Sequence, residues 1–279
     1  MQKAYICGCV RNCAQHLSNV FANIDRIGSL FAEVRILIAY DESDDGSLDV
    51  LEQLASTRAN MRILLNAKPL THIRTQNISN ARNLLLDTMR HDPDHEEFTY
   101  FMMIDCDDVC SGNMNLAYLA KYIESDEMMA KWDSISFNRK DYYDVWAFSN
   151  DPHVFSCWNW ESRQVSLQWV HTLRKWIQTE LAKLTPDDLM TCYGAFNGFA
   201  VYRMSIFLKC RYEWNMRTVV QYIPREWLIR QSAILNKRIY FAQTMDDCEH
   251  RYFHLYAHLE HGAKNRISPL CLFDDDVAN

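Results

Sequence analysis

Glycine is scarce in this sequence, with 7 in 279 residues, and proline is scarcer, with 6. The scarcity excludes collagen-like and linker-like chains. It also leaves no Gly-rich phosphate cradle, because neither Gly-x-Gly-x-x-Gly nor a P-loop occurs. Positive charge is in deficit: 29 Lys and Arg face 36 Asp and Glu, a net −7, which argues against a nucleic-acid binder that works by phosphate neutralisation. No apolar run reaches membrane-spanning length, and residues 1–10 lack the segments of a secretory leader. We therefore expect a cytoplasmic protein without a transmembrane segment. Paired Cys-x-x-Cys knuckles are missing too. The 10 cysteines, Cys7, Cys9 and Cys13 included, read as reduced, buried thiols rather than zinc ligands.

What is present is an ordinary globular composition, 48% hydrophobic and 23% charged, long enough for one large domain. Its most informative stretch is Phe98-Thr99-Tyr100-Phe101-Met102-Met103-Ile104-Asp105-Cys106-Asp107-Asp108, an apolar run that stops on three carboxylates. Such a run suits a strand buried on both faces, as in parallel or mixed sheets. Ligands of open α/β sheets bind outside the carboxyl ends of the strands. Asp105 and Asp107, two apart on extended chain, point to one side, where a hard divalent cation can meet both.

Three strand-helix units lead into that strand. Residues 4–10 predict a strand, followed by Arg11-Asn12-Cys13 and a helix from about 15 to 31 with Leu17, Val20, Phe21, Ile24 and Ile27 on one face. Arg11 is either a solvated loop residue or a nucleotide contact. Residues 34–40 predict a second strand, and Gly46 and Ser47 a bend and cap before the next helix. Asp41, Ser43, Asp45, Gly46, Asp49 and Glu52 match an EF-hand loop in spacing, but the entering segment is strand-like. After a third strand at 61–65, Ser79 is the expected N-cap of a helix, with Arg82 in its first turn, either exposed or beside a negative ligand. These alternations predict a doubly wound α/β half-domain.

Beyond Asp108 the pattern predicts a helix at about 113–123, a strand at 134–138 and an amphipathic helix at about 163–183. Tyr142-Tyr143-Asp144-Val145-Trp146 and Cys157-Trp158-Asn159-Trp160 are aromatic clusters, either core or sugar-stacking surface. A loop around Trp158 suits a homodimer contact as well as an acceptor platform. In 192–203, Gly194, Asn197 and Gly198 interrupt a β-favouring run, which implies a bulge or the close approach of another segment. The block 244–261 gathers acids and histidines, either as a site or as a solvated helix face.

In order, these motifs resemble the GT-A class of nucleotide-sugar glycosyltransferases. The motifs are Arg11-Asn12, Tyr40-Asp41-Glu42-Ser43 with Asp45-Gly46-Ser47, Ala81-Arg82-Asn83 and the Asp-x-Asp strand. The second half is similar to glycosyltransferase-like proteins of fungal-capsule type and of large DNA viruses, through Tyr142 to Trp146, Phe196-Asn197-Gly198-Phe199 and Cys248-Glu249-His250. The resemblance implies an α/β GT-A fold, a Rossmann-like mixed sheet flanked by helices, with a nucleotide-sugar-binding half at 1–110 and an acceptor and catalytic half at 111–279.

It further implies a nucleotide-diphosphate sugar as donor, a carbohydrate or glycan as acceptor, and Mn²⁺ or Mg²⁺ as the ion bridging the donor's phosphates. Asp105 and Asp107 would hold that ion with His254 as a third ligand; His250 is the other candidate. Arg11, Tyr40, Glu42, Arg82 and Asp105 would contact the nucleotide, and Asn197 and Gly198 the transferred sugar. Glu249 is the expected base in an inverting transfer, with Asp247 and Glu226 as alternatives. Tyr143, Asp144 and Trp146 would face the acceptor. Ile104-Asp105-Cys106-Asp107-Asp108 also fits a haloacid-dehalogenase phosphatase with Asp105 as nucleophile, although that motif normally follows the first strand of its fold. A nucleotidyltransferase or a non-catalytic nucleotide-sugar-binding protein would share the same sheet.

Overall fold

The computed structural model describes residues 2–151, 153–154, 166–236 and 246–273. Its first half alternates β1 (Lys3–Val10), α1 (Ala14–Gly28), β2 (Glu33–Tyr40), α2 (Ser47–Ser56), β3 (Met61–Leu65), α3 (Arg74–Arg90) and β4 (Tyr100–Asp105). The second half supplies α4 (Leu116–Glu124), α5 (Asp126–Met129), β5 (Ser134–Asn138), α6 (Ser166–Leu181), β6 (Met190–Thr191), β7 (Phe199–Arg203), α7 (Met204–Phe207), α8 (Met216–Tyr222), α9 (Arg225–Leu235), α10 (Glu249–His261) and β8 (Asn265–Cys271). The eight described strands form one mixed sheet in the order β3-β2-β1-β4-β7-β5-β8-β6. The first four are parallel, and β7 runs antiparallel between β4 and β5. The expected mixed α/β sheet flanked by helices is therefore present.

The sheet is buried on both faces because side chains alternate. Tyr100, Met102 and Ile104 of β4 pack with Ile6 and Ile36 against α1. Phe101 and Met103 pack with Tyr5 and Leu37 against Leu85 and Leu86 of α3 and Phe253 of α10. Asp105 continues the second set by parity, so it emerges on the side of α3 and α10. Cys106 turns back to the first set, and a Cβ on Gly8 would stand 2.5 Å from its sulfur. The close packing of β1 on the start of the Asp-x-Asp loop thus requires glycine at position 8.

Two helix starts differ from expectation. Ser47 is the first residue of α2 rather than its cap; Gly46 holds the cap position at φ 80°, and Asp45 Oδ1 accepts from Ser47 N at 3.0 Å. Asp45 Oδ2 also accepts from Ala14 N at 2.8 Å and Ser47 Oγ from Cys13 N at 2.9 Å, so the acidic loop after β2 ties the starts of α1 and α2 together. That loop follows a strand and spends its oxygens as caps, which removes the EF-hand reading. The helix expected to begin near Ser79 begins at Arg74. Its first turns are polar yet buried: Asn77 exchanges hydrogen bonds with the backbone of Thr71, and Asn83 with that of Tyr212. Arg82 therefore lies mid-helix, not in a first turn.

No helix among the described residues is long and apolar enough to cross a membrane. The cluster at 157–160 lies outside the described residues, as does Thr244.

Candidate active site

The chain passes from β1 outward through β2 and β3, then returns to place β4 on the other side of β1. This reversal opens a crevice at the carboxyl ends of β1 and β4, where Cys9 lies opposite Asp105. A cleft of about 460 Å³ occupies it, lined among others by Arg11, Arg82, Asp105, Asp107, Asp144 and Glu249. A larger hollow of about 760 Å³ lies beside β2, β3 and the end of α3. One of its cations, Arg35, is already paired with Asp92 and Asp94 and the hollow gathers no comparable set of acids, so chemistry belongs to the smaller cleft.

Arg82 is the hub of the cleft. It is buried between the rings of Phe196 and Tyr212, with its guanidinium carbon 4.7 and 5.6 Å from their centroids. Its Nη2 donates to Asp105 Oδ1 at 3.2 Å, and its Nη1 donates to Glu249 Oε1 and His250 Nε2. Burial holds the His250 imidazole well below its usual pKa, and the cationic Arg82 adds to this, so the ring is neutral. One guanidinium thus joins α3, the end of β4 and the first turn of α10.

Asp105 is fully engaged. Its Oδ2 accepts from the Tyr143 hydroxyl at 3.0 Å, and its backbone N donates to Gly198 O at 2.8 Å. Burial and the charge of Asp107 push its carboxyl up to about 7. Asp107 stands further out, with Oδ1 accepting from Val109 N at 3.2 Å. Burial raises its pKa as well, followed by the neighbouring Asp108. Two hard carboxylates that each gain from a nearby positive charge suit a divalent cation. No cluster of three or more His, Cys, Asp or Glu side chains that would complete a metal shell occurs among the described residues. The residues therefore fit an ion that takes its other ligands from phosphate and water, as Mg²⁺ does beside substrate phosphates.

The remaining expected site residues divide. Arg11 and Glu249 line the cleft. Tyr40 and Glu42 are not among its lining residues: the Tyr40 hydroxyl accepts from Ser43 N, and Asp41 between them faces inward instead, held by Asn66 at 2.8 Å. On an extended segment the neighbours of an inward residue must point away. His254 is one helical turn below His250, fully buried against Tyr202 and Phe207, and is not a cleft residue. His250 is the histidine that the cleft contains.

Asn197 and Gly198 build the cleft without lining it. Asn197 takes φ 56° and bonds Phe137 O and Asp144 N; Gly198 takes φ 89°, and a Cβ there would meet Val109 Cγ1 at 2.5 Å. Asp247 is fully buried and bonded to Arg251 at 2.8 Å, and Glu226 is exposed on α9, so neither shares the cleft.

Sequence reasoning missed Arg74, Asn77 and Ile78, which line the cleft with Ala81 and Arg82. Their spacing of three and four residues is the signal that would have found them, had the helix been started at Arg74.

The model of the family "Glycosyl transferase family 2" matches residues 5–209. No curated protein matches the chain. Similar solved structures include the mannosyltransferase PcManGT from Pyrobaculum calidifontis in complex with GDP-Man and Mn²⁺ (10% identity, 75% of this chain and 47% of that chain covered, TM-score 0.43). Two structures of S. aureus TarS are also similar. One, of residues 1–349, shows 11% identity, coverage of 98% and 59%, and a TM-score of 0.45; the other shows 12%, 98% and 36%, and 0.47. The chain spans 36% to 59% of the length of these structures. Because the family match covers well over half of the chain and runs from β1 past α7, through the Asp-x-Asp strand end and Arg82, the chain belongs to glycosyl transferase family 2.

Proposed function

We propose that this protein is a metal-dependent glycosyltransferase that moves a sugar from a nucleotide-diphosphate sugar to an acceptor hydroxyl with inversion. The observation that carries this reading is the meeting of Asp105, Asp107 and Arg82 in one cleft at the carboxyl ends of β1 and β4. The motifs of the second half support a relationship to the fungal-capsule and viral type, with residues 1–110 serving the donor and 111–279 the acceptor.

Asp107, with Asp105 directly or through water, would hold Mn²⁺ or Mg²⁺, and such an ion supplies Lewis-acid stabilisation of a departing diphosphate. Arg82 adds a preorganised positive charge beside it, with no solvent to reorganise because the side chain is buried. Glu249 orients that guanidinium from α10 and Tyr143 orients Asp105. Arg11 and Arg74 lie where further phosphate oxygens or the ribose would be met, and the inward Asp41 offers an acceptor to a nucleobase N–H. At the sugar, positive charge grows as the bond to the diphosphate breaks, as in glycoside hydrolysis. The carboxylates of the cleft favour that charge.

The phosphatase motif follows the first strand of its fold, whereas here Asp105 ends β4 after three strand-helix units, and the family is one of transferases.

The test is thermal stability against a panel of nucleotide sugars, each with and without Mn²⁺, on the wild type and Asp107→Ala. Ligand at 100 times its Kd stabilises by about 2.7 kcal/mol, which raises the melting temperature visibly. One donor is expected to act, only with the ion and only with Asp107 intact. A folded wild type that no donor stabilises would overturn the reading.

A further inference from the structure

The transfer needs a group to receive the proton of the acceptor hydroxyl, and the geometry points to Asp144 rather than Glu249 as that group. This inference rests on the glycosyl-transfer reading above.

Five carboxylates line the cleft: Asp41, which follows β2 and is held by Asn66, and Asp105, Asp107, Asp144 and Glu249. Two are bonded to the same cation. Arg82 donates to Asp105 and to Glu249, and Glu249 is almost wholly buried in that pairing. Glu249, in giving up its ion pair to take a proton, would leave the buried guanidinium short of a partner, which is costly, and Asp105 would share the cation with Asp107. Asp107 is the outermost member of the Asp-x-Asp pair and is the one best placed for a cation.

Asp144 has neither commitment. Among the described residues no Lys or Arg forms an ion pair with it. Its carboxylate is nevertheless oriented: Oδ1 accepts from Ala147 N at 3.1 Å, and its own backbone N is held by Asn197 Oδ1 at 3.3 Å. That leaves Oδ2 for a substrate hydroxyl. Residue 143, next in chain, bonds Asp105, and Trp146 lines the cleft two residues on, so Asp144 sits between the cation end and an aromatic wall. Proton affinity agrees with the placement. Burial raises the Asp144 carboxyl, with Glu249 adding to the rise and Arg82 opposing it, and upward is the direction that suits a general base.

The step balances as a single displacement. The acceptor oxygen forms its bond to the anomeric carbon, the bond from that carbon to the diphosphate oxygen breaks with its electron pair going to the diphosphate, and the O–H proton passes to Asp144. Solvent later removes it.

The experiment uses the whole chain, Mn²⁺ and the nucleotide sugar that stabilises it, with water as acceptor, reading release of the nucleoside diphosphate. Asp144→Asn is expected to keep the melting shift with donor and Mn²⁺ while release falls by about 10²- to 10⁴-fold, the range for loss of a general base. Sodium azide, which attacks without losing a proton, is expected to restore release in Asp144→Asn. Near-wild-type release by that variant, or azide rescue of Glu249→Gln but not of Asp144→Asn, would overturn the assignment to Asp144. An Asp144→Asn chain that has lost the donor shift would also overturn it, because Asp144 would then serve binding. Absence of any donor shift in the wild type would instead overturn the transfer reading itself.

Discussion

At the scale of single residues, the site is shaped by charges brought closer than water would allow. Asp105 is pushed up to about 7, first by burial and then by Asp107. Between pH about 4 and about 7 the folded chain therefore keeps a proton that the unfolded chain has released. The stability this contributes is complete below the unfolded value and is lost as pH rises through the folded one. In metal-free buffer, Asp105→Asn should remove that loss and be more stable than wild type by about 1–3 kcal/mol above pH 7, with the advantage shrinking towards pH 4. Urea unfolding at several pH values checks the sign; a variant less stable at every pH would show that the bond to Arg82 outweighs burial. Gly198→Ala tests backbone geometry instead. At φ 89°, with Val109 Cγ1 2.5 Å from the new methyl, it should cost about 1–3 kcal/mol in the same assay.

At the scale of elements, α10 is the piece that closes the cleft, and its seating depends on a fully buried ion pair. Arg251 bonds Asp247 at 2.8 Å and donates to the carbonyls of Trp146, Phe148 and Val154, which ties the start of α10 to the segment carrying Asp144. Arg251→Met should destabilise by about 3–5 kcal/mol, because Asp247 is left as an unpaired buried charge. Changing both, Asp247→Asn with Arg251→Met, should recover part of that loss in a denaturation series; no recovery would mean the three carbonyls carry the cost. The sequence pointed to Asp247 as an acid of the block 244–261, but not to its pairing with Arg251 four residues on. The strands and helices of the first half were legible because periods of two and of three to four residues are imprinted by burial on one or both sides. The start of α3 was not legible, since Thr75, Asn77 and Ser79 look like loop and are buried only because the neighbouring segments cover them.

At the scale of the whole molecule, the proposed transfer requires ion and donor to fill the cleft together, because the described residues offer no group of three or more ligands for an ion alone. Mn²⁺ alone should move the melting temperature by less than about 1 °C, whereas donor with Mn²⁺ should move it by about 5 °C or more. A large shift with the ion alone would show that the protein completes a metal shell by itself. The sequence by itself determined the alternating sheet architecture and the position of the carboxylates at a strand end, because an apolar run stopping on acids is a local pattern with one structural outcome. Only the tertiary structure decided which groups work together. Arg82 meets Glu249 across 167 positions, His250 rather than His254 enters the cleft, and Asp41 rather than its neighbours faces inward. Those choices turn on side-chain parity and on contacts between distant segments, and neither leaves a mark at the residues concerned until the chain has folded.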